Sequence, residues 1–142
     1  MAFREKLAWV SFLAMLIPYA VYFGILGPSV KFGEDRMLDI LWTFGPVAVA
    51  HGLGVIIGRI VLSMMSPEDA RAPADERDRA IARRALTIAY YVLIAGFVLV
   101  GVGMPFSEPP WKIVNTALLA IVLAEFVGQI IALISYRRGW HG

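Results

Sequence analysis

The sequence has no cysteine and only two histidines. Disulfides, thiolate metal sites and cysteine nucleophiles are therefore excluded. Only His51 falls in an apolar stretch. One chain thus cannot supply the paired imidazoles of a membrane haem, and zinc finds too few ligands. Charge is scarce too, at 17% of residues. No serine sits in a nucleophile-elbow pattern. No phosphate loop is present either: GLGVIIG at 52–58 lies inside an apolar run, where helix packing accounts for its glycines. These absences predict a chain with no enzymatic activity and no cofactor.

What the sequence does have is apolar length. Of 142 residues 59% are apolar, and the mean hydropathy is +0.71. About 20 consecutive apolar residues cross a bilayer as a helix. Four runs qualify, at about 7–27, 38–65, 85–103 and 112–136. The runs are continuously apolar, as in LIAGFVLVGVG, whereas membrane β-barrel strands alternate apolar and polar residues. A soluble bundle needs a polar face on each helix, and 92–102 has none. The expectation is an all-α integral membrane protein, one four-helix domain over 1–142. The first run is too long for a signal peptide and lacks a small-residue cleavage site, so it is read as a span.

Basic residues orient the spans. Arg4, Lys6, Arg71, Arg77, Arg79, Arg83, Arg84, Arg137 and Arg138 fall in the two termini and the 66–84 loop. An even number of spans puts all of these on one side. Only Lys31, Arg36 and Lys112 fall on the other, with Arg59 inside a span. Positive loops stay cytoplasmic, so both termini are expected inside, in a bacterial inner membrane. Trp9, Trp42, Trp111 and Trp140 lie near span ends, where amphipathic rings settle.

Pro18 is expected to bend the first helix and Gly45-Pro46 to kink the second. Ser11, Pro18 and Tyr22 share a face of the first helix. Ala50, Gly54 and Gly58 recur every four residues, a small-residue stripe that lets helices approach closely. It predicts a tight crossing, within the chain or between two copies. In the 66–84 loop, Ser66-Pro67-Glu68-Asp69 reads as a helix start. Asp75, with Asp78 three residues on, reads as a second start, whose helix runs into the third span as a charged stalk.

Five polar groups lie within the spans: His51 and Arg59 on the second helix, and Asn115, Glu125 and Gln129 on the fourth. Groups of this kind are costly in lipid and turn toward protein or water. The last three fall within about 80° of one another at about 100° per residue. Counted from the inner ends, Arg59 lies about 10 Å deep, His51 about 22 Å, Gln129 about 10 Å and Glu125 about 16 Å. Arg59 is expected to pair with Glu125 or to snorkel to the headgroups. His51 is expected to point into the bundle.

The layout, with Asp75-Glu76-Arg77-Asp78 and Ile81 entering the third span, resembles small four-span bacterial inner-membrane proteins of unknown function. Their genes often lie beside a helix-turn-helix regulator. The resemblance implies a non-enzymatic membrane partner of a cytoplasmic DNA-binding protein. The expected contact face is Asp75, Glu76, Arg77, Asp78, Arg79 and Arg83, whose alternating charges suit a salt-sensitive interface. Four spans with one membrane Glu are also similar to small multidrug transporters. Their essential Glu lies in the first span, however, where this chain has no acid. A proton-coupled small-molecule transporter using Glu125 is the alternative, and an accessory subunit of a membrane complex is the second. A homodimer is expected. Direct nucleic-acid binding is not, because the basic residues fit the positive-inside rule without it.

Overall fold

The computed structural model describes residues 3–26 and 37–138. Lys31, Arg36, Trp140 and His141 lie outside the described residues. Among the described residues there are five α-helices: α1 (Phe3–Val21), α2 (Met37–Met65), α3 (Pro67–Arg71), α4 (Glu76–Val98) and α5 (Pro110–Arg137). There is no strand among the described residues.

The helix ends follow from local chemistry. Pro67 opens α3, a position where its missing N–H costs nothing. Ser66 occupies the cap position, but its hydroxyl makes no capping bond. Asp75 does cap α4: its Oδ1 accepts the Asp78 N–H at 2.6 Å, and Asp78 Oδ2 accepts the Asp75 N–H at 3.4 Å. This reciprocal box satisfies two donors that the first turn leaves open. α4 then continues through a π turn (Leu99–Gly103) and a 3₁₀ turn (Met104–Phe106). α1 carries Pro18 within its length and ends in a π turn at Tyr22–Leu26. α2 runs unbroken through Gly45-Pro46. Among the described residues, four helical stretches are long and apolar enough to cross a membrane: Phe3–Ile25, Leu38–Met65, Glu76–Phe106 and Pro110–Arg137.

Packing orders the four long helices as α2, α1, α5, α4. The widest contact joins α4 to α5, then α1 to α2, then α1 to α5. α2 touches α5 slightly and has no comparable contact with α4. The ring is therefore open on one side. Small residues set the tight crossings. A Cβ added to Gly54 would stand 3.1 Å from Ala14 Cβ, and one on Gly58 would overlap Val10 Cγ1. The glycine stripe thus packs within the chain, against α1. Ala50, read as part of that stripe, is exposed instead. Gly96 meets Ala120 and Gly128 meets Ala89 across the α4–α5 seam.

The buried centre is Met15, Tyr19 and Val122, with Phe23, Phe44, Val47 and Phe126 against it. Large apolar side chains face outward: Trp42 is 76% and Phe106 87% exposed. In water such a surface would aggregate. In hydrocarbon it is the expected exterior.

Candidate functional site: a pinned charged end and an open membrane groove

Two regions gather the polar side chains. The first lies where the start of α1, the 72–78 segment and the end of α5 meet. Arg4 Nε pairs with Asp78 Oδ2 at 2.8 Å. The Tyr136 hydroxyl donates to Asp78 Oδ1 at 3.1 Å. Arg77 donates to the Tyr136 carbonyl at 3.1 Å, and Arg4 to the Ala72 carbonyl at 3.3 Å. One carboxylate thus caps α4 and ties it to both α1 and α5. The Arg137 guanidinium lies 5.1 Å over the Trp9 ring, a cation–π contact that closes the same corner. This geometry brings three basic segments to one end of the molecule.

The pinning divides the expected contact face. Asp75, Arg77 and Asp78 are engaged within the chain. Glu76, Arg79 and Arg83 are exposed, and no side-chain bond holds them among the described residues. They project from a helix end that contacts tie to α1 and α5. Arg4 and Tyr136 had no signal in the sequence, because their partner lies far along the chain and periodicity reports only neighbours.

The second region is the gap between α2 and α4. It is a groove of about 560 Å³, floored by α5 and edged by Ser11 of α1. His51 and Val55 line one wall, Ala85 and Ala89 the other, Glu125 and Gln129 the floor. Glu125 is exposed there and takes no hydrogen bond or ion pair among the described residues. The expected Arg59–Glu125 pair is not formed. Arg59 is also exposed and sits beside Ser63, Pro67 and Arg71 at the turn into α3. Depth alone had suggested the pair; the missing information was which helices stand side by side.

His51 is half-buried. Its Nδ1 lies 3.3 Å from the Tyr19 hydroxyl, a hydrogen bond whose donor is set by the tautomer. The two rings meet edge to face at 5.3 Å. Asn115 separates from the other α5 polar residues, because its Oδ1 accepts the hydroxyl of fully buried Tyr22 at 2.9 Å. Its role is therefore a satisfied contact between α1 and α5. No group of three or more His, Asp or Glu side chains suited to a metal occurs among the described residues.

Four apolar helices, outward-facing aromatic and aliphatic side chains and polar groups gathered at one end and one groove define a small helical membrane protein. The chain belongs to the family described as "Predicted membrane protein (DUF2178)", whose model matches residues 9–140. No curated protein and no solved structure matches the chain.

Proposed function

We propose that this chain is a non-enzymatic regulatory or scaffold protein of the bacterial inner membrane, and that its pinned end binds a cytoplasmic partner. Nine of thirteen Lys and Arg belong to the termini and the 66–84 loop, which supports placing that end in the cytoplasm. The observation that carries the reading is the pinned start of α4. Asp78 fixes it to α1 and α5, while Glu76, Arg79 and Arg83 stay unused by the fold. A rigid mixed-charge helix end pays little ordering cost on binding. The resemblance in the DERD segment makes a helix-turn-helix regulator the proposed partner.

The test is a photocrosslinking residue in place of Ala82, exposed on the same stretch of α4, in living cells, with captured neighbours identified by mass spectrometry. A soluble DNA-binding protein is the expected product. Arg79→Glu together with Arg83→Glu should abolish its capture. Arg77 is left intact, because it holds Tyr136 and its loss would disturb the fold. Unchanged capture by the double variant overturns this reading, and capture of membrane subunits alone supports an accessory role instead.

A second reading is favoured by the exposed carboxyl of Glu125 in the groove with His51 and Gln129. An ionisable group at that depth is a functional position by default. In this reading the chain is a proton-coupled small-molecule transporter, and Glu125→Gln eliminates proton-driven flux in proteoliposomes. Flux that survives the change removes the reading.

A further inference from the structure

Arg59 and Glu125 are opposite charges within the membrane spans, and each is exposed with no partner among the described residues. Counted from the pinned end, Arg59 lies about 10 Å deep and Glu125 about 16 Å. Arg59 can snorkel to the headgroups. Glu125 is too deep for its short side chain to do so. Its carboxyl opens sideways through the groove toward whatever lies beside the molecule.

The occupant that fits is a helix with a cation at matching depth. Small residues make up part of the groove walls, with Gly52 on α2, Ala85 and Ala89 on α4, and Ala132 on α5, alongside the larger Val55, Ile56 and Leu86. The small residues let a helix backbone come close. The groove face of α2 carries Gly52, Val55 and Ile56, and Arg59 follows three and four residues after the last two. Arg59 is thus on the same face at helical spacing. One protomer therefore offers both halves of a self-complementary contact: an acid-floored groove, and beside it a helix face ending in a cation.

We infer that the groove is closed by a second copy of this chain, with Arg59 of each protomer paired to Glu125 of the other. A two-fold axis along the membrane normal keeps every residue at its own depth and makes the contact twice. The long Arg side chain reaches up the short difference in depth. The pair is formed in hydrocarbon, where an uncompensated charge is costly. This inference goes beyond the cytoplasmic reading and does not depend on it. It assigns Glu125 to assembly, where the transporter reading makes it a carrier.

Charge exchange between differently tagged copies tests the pairing in trans. Arg59→Glu places two acids in one chain, and Glu125→Arg places two cations in the other. Each variant alone has only like charges to offer a copy of itself. Coexpressed, they restore both pairs across the interface and neither pair within a chain. The expected result is that each variant alone is monomeric in detergent and that the two copurify as a heterodimer. Pairing within one chain would instead leave the heterodimer no better than either homodimer, which overturns the proposal. So does a wild-type chain that is monomeric in native-like bilayers.

A second measurement covers variants that fail to fold. The chain has no cysteine, so Ile56→Cys gives one thiol on the α2 groove face. Bifunctional crosslinking in membranes should yield a dimer band. The band should weaken at least tenfold when Arg59→Gln and Glu125→Gln are added in the same chain. A band indifferent to those changes contradicts the inference.

Discussion

Asp78 offers a direct test of the pinned end. Its carboxylate accepts from Tyr136, pairs with Arg4 and completes the α4 cap. These contributions differ in size. The Arg4 side chain is 37% exposed, so its ion pair belongs at the weak end of a range of about 0–1 kcal/mol. The return bond from the Asp75 N–H is long at 3.4 Å and adds little. The Tyr136 bond is half-buried with a charged acceptor, a class worth about 1.5–3 kcal/mol. Asp78→Ala should therefore cost about 2 kcal/mol, most of it through Tyr136. Asp78→Asn keeps an acceptor for Tyr136 and should cost less. Reversible unfolding by steric trapping in bicelles gives the number. Tyr136→Phe should remove most of what Asp78→Ala removes, and the double variant should be little worse than the worse single one. A cost for Asp78→Ala below about 0.5 kcal/mol, the range of an unconnected surface change, would refute the clamp.

Other substitutions probe the crossings. Gly96→Ala would put a Cβ 2.6 Å from Ala120 Cβ. Neither atom can rotate away, so the seam must part, at about 1–3 kcal/mol; Ala120→Gly in the same chain should recover most of that loss in the same assay. Ala14→Cys with Gly54→Cys should oxidise within one chain, since the two Cβ positions are 3.1 Å apart, somewhat under the usual disulfide range of about 3.5–4.5 Å. A disulfide between chains on a non-reducing gel would contradict the α1–α2 crossing. Tyr22→Phe should cost about 1 kcal/mol by leaving the Asn115 oxygen unpaired. Asn115→Ala should cost no more when added to it, and additive losses in a double-mutant cycle would show that the two do not interact.

The sequence carried the elements well and their neighbours poorly. Continuous apolar runs mark spans because a helix satisfies its own backbone in lipid. The Asp75–Asp78 box was readable because both partners lie within one turn. The glycine stripe of α2 was visible as a pattern, but not its target, since Ala14 and Val10 are themselves unremarkable on α1. Arg59 lay within side-chain reach of Glu125 in depth and was expected to pair with it or to snorkel. They miss because α2 packs on α1 and leaves a groove between itself and α4, and no periodicity on a single helix reports which helices are adjacent. Tyr136 and Arg4 were overlooked for the same reason.

The partner-binding account rests on which side of the membrane the pinned end faces. Single cysteines in this cysteine-free chain decide it. Arg79→Cys tags the pinned end and Ser107→Cys the opposite one. A membrane-impermeant maleimide applied to spheroplasts should label position 107 and reach position 79 only after the membrane is opened. Labelling of 79 from outside, with 107 protected, would put the charged helix end away from the cytoplasm and contradict the account.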